Sequence, residues 1–210
     1  MILKKSSECF LKLGFKSVTM DDIANKMAIS KKTIYKYFKN KEELIDETVT
    51  FLHESMMTGI NCICDNQYNA IQENFEIKKM FRDLLKHSDD SPMYQLQKYY
   101  PKTYQRIIKK EFIMFKDCIM NNIRKGIDDG LYRSDIDPDV ITRFYFSLVM
   151  SIHDADLFQY KRNTKDKLEI DILEYHTRAI STPKGIEILE EQINLFKNNA
   201  WKILVSYYSY

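Results

Sequence analysis

The sequence predicts an all-α chain of two parts. A three-helix N-terminal helix-turn-helix domain spans 1–47, and a larger helical domain spans 48–210. Three observations lead there. Glycine and proline are scarce, 5 and 4 in 210 residues, so few positions break a helix. Apolar residues recur at three- and four-residue spacing through most of the chain. Hydrophobic content is 44%, enough for a real core beside 30% charged residues.

The elements follow in order. Ile2 to Leu13 is the first helix, with Ile2, Leu3, Ser6, Cys9, Phe10 and Leu13 on its apolar stripe and Gly14 as its stop. Thr19 is an N-cap residue for the second helix, and Asp21 and Asp22 suit the positive end of its first turn. Ile23, Ala24 and Met27 share one face of that helix. Ala28 and Ile29 form the break. Ser30 caps a third, short helix over Lys31 to Phe38, in which Ile34 and Phe38 point back at Ile23 and Met27. The fourth helix starts near Asn40 and runs towards Cys64, long enough to link the two parts as a lever.

Beyond it the patterns are again helical. They cover Ala70 to Lys86, Met93 to Tyr100, Lys102 to Asp129 and Asp139 to Leu157, with Gly130 as a stop and Asp137–Pro138 as a start. The polar stretch His87 to Pro92 and the charged stretch Lys161 to Lys167 read as loops. Leu168 to Ile180 is open between helix and extension. Thr182 and Pro183 begin the last helix.

Charge is placed unevenly. The net charge is +2, but residues 1–50 hold 10 Lys, no Arg and 7 acids, against 22 basic and 23 acidic residues in the remainder. Six lysines lie between Lys26 and Lys41, and no acid lies between Ile23 and Lys41. A solvated lysine-rich hairpin is the plain alternative. Lys, Thr and Tyr on an exposed short helix with no opposite charge favour a helix laid in the DNA major groove.

The pieces ILKKSSECFLKLGF and SVTMDDIANKMAISKKTIYKYFKNKEELI, in that order and without a gap, resemble the DNA-binding domain of the TetR family of bacterial transcriptional regulators. The match covers about a fifth of the chain. The resemblance implies that Lys31, Lys32, Thr33, Tyr35 and Lys36 read base edges, and that Thr19, Tyr37, Lys39 and Lys41 hold phosphates. Two residues depart from the family pattern. Ala28 stands where a turn glycine is usual, so the turn is expected to be built differently. Lys32 stands where a small residue is frequent, which alters base preference. GIDDGLYRSDIDPDVI, Gly126 to Ile141, resembles a hinge of the family's ligand domains.

One short helix reads only a few base pairs, so two heads on a palindromic double-stranded DNA operator are expected, carried by a homodimer. The last helix, with the stripe Ile186, Leu189, Ile193, Phe196, Ala200 and Ile203, and the helix from Asp139 to Leu157 are the candidate seam, and core packing is the plain alternative for both. Large aromatics and methionine suggest a cavity for an unknown, largely apolar small-molecule effector. Its candidates are Phe81, Tyr104, Phe112, Phe115, Phe144, Met150 and His153, although for any one of them ordinary core packing is the commoner role. The functional expectation is a repressor released by that effector. The alternative is an effector-independent architectural or partner-recruiting DNA-binding protein.

Other classes lack residues. Cys9, Cys62, Cys64 and Cys118 form no C-x-x-C, and no His cluster has ligand spacing, so neither metal nor cofactor is expected. Four free thiols fit a reducing cytosol. There is no G-x-S-x-G, H-E-x-x-H or phosphate-binding glycine loop, hence no enzyme. No apolar run approaches 18 residues, and MILKKSSE is no signal peptide. The expected location is the bacterial cytoplasm, on the nucleoid when DNA is bound.

Overall fold

The computed structural model describes residues 1–85, 92–152, 157 and 165–207, with side chains in the last helix described through Phe196. The elements are α1 Ile2–Leu13, α2 Met20–Lys26, α3 Lys31–Tyr35, α4 Lys41–Cys64, α5 Ala70–Leu85, α6 Pro92–Tyr99, α7 Pro101–Asp128, α8 Pro138–Ser151, α9 Lys165–Ile180 and α10 Pro183–Tyr207. Among the described residues there is no strand, only an isolated antiparallel bridge between Tyr132 and Ser181. None of their helices is long and apolar enough to cross a membrane.

The chain forms two compact units. One comprises Met1–Asn61 and Phe81–Met114; the other comprises Cys62–Met80 and Phe115–Tyr210. The first unit thus takes most of α4, all of α6 and the start of α7 together with the three N-terminal helices.

The core of the first unit is built from Cys9, Phe10, Phe15, Val18, Met20, Ile23, Ala24, Ile34, Leu44, Ile45 and Val49, closed by Leu96 of α6 and Ile107 of α7. Phe10 and Phe15 stack at 5.2 Å across the end of α1. Gly14 makes that corner possible. Its φ is 87°, and a Cβ there would lie 2.5 Å from the Gln95 side-chain oxygen. Leu13 does not join the α1 stripe as expected but is 53% exposed, because the chain turns at Gly14 and Phe15 rather than Leu13 packs on Phe10. Asp46 ties α4 to α7. Its carboxylate accepts a hydrogen bond from Thr103 Oγ1 and forms an ion pair, at 3.1 Å, with the Arg106 guanidinium, which also donates to the Asp46 carbonyl at 3.2 Å.

The second unit packs Ile71 and Phe75 of α5, Ile119 and Ile123 of α7, Tyr145 of α8, Leu173 and Ile180 of α9, and Leu189 and Ile193 of α10 around Leu131 and Tyr132. The open reading of Leu168 to Ile180 resolves as helix, since Ile172, Leu173, His176, Thr177 and Ile180 all turn to one buried face. A polar cluster crosses this core. Asn122 donates to Glu73 Oε2 at 2.9 Å and to the Ala70 carbonyl at 2.8 Å. Its own carbonyl oxygen accepts from Asn74 at 3.0 Å and from the Tyr132 hydroxyl at 3.3 Å. Lys125 Nζ donates to the other Glu73 oxygen and to the Tyr68 carbonyl. Gly126 is forced here, because a Cβ would fall 2.0 Å from the Tyr132 ring.

Candidate nucleic-acid interface

The candidate head is set by caps. Thr19 Oγ1 accepts the Asp22 N–H at 3.2 Å, and Asp22 Oδ2 accepts the Thr19 N–H at 2.8 Å, a reciprocal box that starts α2. The Thr19 hydroxyl proton also goes to Asp22, at 2.7 Å. Both Thr19 donors are therefore engaged within the protein, and the two bonds hold the Asp22 carboxyl below the usual carboxylate range.

The turn between α2 and α3 keeps its left-handed residue without glycine, contrary to the expectation of a different build. Ala28 has a φ of 53°, and the N–H of Ile29 reaches back to the Ala24 carbonyl at 3.0 Å. Ala carries the conformation at a steric cost that glycine avoids. Ser30 then caps α3 by accepting the Thr33 N–H at 3.1 Å. α3 is shorter than the predicted Lys31 to Phe38. The N–H groups of Tyr37 and Phe38 converge on the single Ile34 carbonyl, at 3.0 and 3.1 Å, and end the helix.

Ile34 is fully buried and anchors α3, while Lys31, Lys32, Tyr35 and Lys36 are exposed and Thr33 is half-buried. The five expected base readers thus share one five-residue helix and its C-cap. They are not equivalent. Lys31 Nζ is paired with Asp21 at 2.7 Å, which raises its pKa, whereas no ion pair involves Lys32 or Lys36 among the described residues.

The expected phosphate holders surround it. Tyr37 is 69% exposed, with its ring 6.5 Å from that of Phe38. Lys39 is exposed, and its N–H caps α4 through Glu43. Lys41 is different. Its ammonium donates to the Lys16 carbonyl at 2.8 Å, and burial lowers its pKa. Sequence reading missed Asp21 as the partner of Lys31, and Lys16 as the residue that seats Lys41. Each is separated from its partner in the chain and joined to it only by the fold.

The other expected sets are divided. Of the effector candidates, Phe81, Tyr104 and Phe112 belong to the first unit, and Phe115, Phe144 and Met150 to the second. Phe115 packs on the rings of Tyr145 and Phe146, at 5.4 and 5.2 Å. Phe144 is 63% exposed, while its neighbour Tyr145 is buried on the inward face of α8. His153 lies outside the described residues. Of the seam candidates, Leu189 and Ile193 are 0% and 2% exposed in the unit's own core. Ile186 and Phe196 are partly buried and pack against that core, so the described part of the stripe serves the chain's own packing. The side chains of Ala200 and Ile203 lie outside the described residues. Among those described in the second unit, the exposed large apolar groups include Val140 and Phe144 on α8, Tyr175 on α9 and Leu195 on α10.

Comparison with known proteins agrees with this geometry. Residues 2–48 match the family model of bacterial regulatory proteins, tetR family. The HTH-type transcriptional regulator YhgD of Bacillus subtilis is 28% identical over 163 residues, covering 71% of this chain and 81% of that protein. The HTH-type transcriptional repressor KstR2 of Rhodococcus jostii is 25% identical over 157 residues, covering 68% and 72%. A transcriptional regulator from Cytophaga hutchinsonii shares the fold, with a TM-score of 0.71 at 14% identity, over 86% of this chain and 97% of its own. No group of three or more His, Cys, Asp or Glu among the described residues could hold a metal. Residues 2–48 thus match the DNA-binding domain of the TetR family, and the relatives that the rest of the chain resembles are helix-turn-helix transcriptional regulators rather than enzymes.

Proposed function

We propose that this regulator is a cytoplasmic repressor, bound as a homodimer to a palindromic operator and released by a small, largely apolar effector. The observation that carries the reading is the bare cationic face of α3. Ile34 is its only buried side chain, and Lys32 and Lys36 stand exposed with no ion pair among the described residues. Such a face fits base edges in a major groove, where lysine donates to guanine and the Thr33 methyl or Tyr35 ring meets thymine. Residues 1–47 form the reading head in this proposal, and residues 48–210 carry dimerisation and effector binding. Repression follows the KstR2 relatives, which are named as repressors.

The dimer contact runs through the outward apolar groups of α8 and α10, Val140, Phe144 and Leu195, and not through Leu189 or Ile193. α4 couples the effector to the heads as one uninterrupted helix from Lys41 to Cys64. An effector shifts the balance only by preferring the DNA-incompetent state.

In vitro selection of bound duplexes tests the reading, together with the mass of the free protein by light scattering. An inverted repeat and a dimer are expected. Random recovered sequences, or a monomer at micromolar concentration, overturn it. Lys36→Ala changes discrimination at one or two base pairs by roughly 1–3 kcal/mol, whereas Tyr37→Phe weakens binding to all sequences alike.

A further inference from the structure

Outside α3, among the described residues of the first unit, Lys16 and Lys98 rest on tyrosine rings. Lys16, in the turn after α1, places its ammonium 4.5 Å from the centroid of the Tyr99 ring at the end of α6. Lys98 places its ammonium 5.5 Å from the same centroid and 5.4 Å from that of Tyr94, and donates to the Tyr94 hydroxyl at 3.1 Å. Both lysines are exposed, and neither forms an ion pair with a carboxylate among the described residues. A tyrosine face attracts a cation but leaves its charge intact. Two like charges are therefore gathered on one ring and left without a counter-ion.

The platform is firmly seated. Leu96 of α6 is buried in the core of the first unit, and Tyr100 donates its hydroxyl proton to the Phe15 carbonyl at 3.4 Å. It also adjoins the reading head. The Lys16 carbonyl is the group that Lys41 holds at 2.8 Å, and Thr19 follows three residues later. α6 is no part of the helix-turn-helix, so nothing in that motif requires cations on it.

We propose that Lys16 and Lys98, displayed on Tyr99 and Tyr94, form a second phosphate-holding surface that grips the DNA backbone beside the helix-turn-helix without reading sequence. The proposal rests on the DNA-binding reading above. Cations that meet phosphates release condensed counter-ions, so each contact adds about one to the slope of log affinity against log salt. DNA is favoured over a free anion because the surface continues from the head that meets the duplex.

The test measures that slope on the selected operator for the full-length protein and three double variants. Lys16→Gln/Lys98→Gln should lower the slope by about 2 and weaken binding to operator and unrelated duplex alike. Lys16→Arg/Lys98→Arg should restore both. Lys109→Gln/Lys110→Gln removes the same charge from exposed sites on α7 of the same unit and should leave the slope unchanged. An unchanged slope in the first variant, an equal drop in the third, or a shift in base preference overturns the second surface and leaves the reading head standing. Wild-type protein that binds no duplex at low salt removes the proposed function itself, and this surface with it.

Discussion

The two units use their charged groups in opposite ways. In the first, Lys32 and Lys36 stand in water on a helix held by one buried side chain, Ile34. In the second, Glu73 is buried 3% exposed, and Asn122, Asn74, Lys125 and Tyr132 occupy its surroundings so fully that each polar group has a partner. Charge left open is available to a partner; charge closed on itself fixes a fold. Electrostatics in the head should therefore govern DNA affinity with little effect on stability, and the reverse should hold in the second unit.

The sharpest way to break that contrast is Glu73→Ala. It leaves one Asn122 amide donor unpaired in the buried cluster and takes its carboxylate partner from the partly exposed Lys125 ammonium, and should cost about 1–3 kcal/mol of unfolding free energy in denaturant melts. A loss below about 0.5 kcal/mol would mean that the cluster is not holding the unit together.

Next comes pH. His176 lies buried against the Tyr145 ring, with centroids 4.0 Å apart, and burial pushes its pKa down to about 4. The unfolded chain takes up this proton near pH 6.5 and the folded chain only near 4. Stability contributed by the neutral ring is complete above pH 6.5, falls as pH drops towards 4, and then levels off. His176→Phe should flatten the unfolding free energy across that window; an unaltered profile would count against it.

Ala28→Gly is smaller and lies in the head. Relief of the positive φ should stabilise the protein by about 0.5–1 kcal/mol and leave operator preference untouched. The smallest effect is expected from Asp21→Asn, which releases Lys31. Thermal stability should hold, while operator affinity at low salt rises a few-fold. A large drop in melting temperature would show the pair to be structural.

The contrast also explains what could be read from the chain. Much of what near neighbours set was legible: the Thr19 cap ahead of Asp21 and Asp22, the Ser30 cap, Gly14 after α1, and Ile34 as the anchor of α3, though not the early end of α3 at Tyr35. Packing between distant segments was not. The stripe Ile186, Leu189, Ile193 and Phe196 has a heptad-like spacing that suits either a partner chain or a core, and periodicity alone does not choose. Glu73 and Asn122 lie 49 residues apart and Lys41 and Lys16 25 apart, so no local pattern announces either pair. Phe144 and Tyr145 are consecutive aromatics, and only the facing helices determine which of them turns inward.

The brevity of α3 has an evolutionary consequence. In the proposed reading, a recognition element with a single buried anchor leaves its exposed positions nearly free of folding constraints, because exposed substitutions seldom move stability by more than about 0.5 kcal/mol. Lys31, Lys32, Tyr35 and Lys36 can drift independently of the scaffold that presents them. A gene copy of this regulator could acquire a new target sequence by a handful of replacements, with no intermediate that fails to fold.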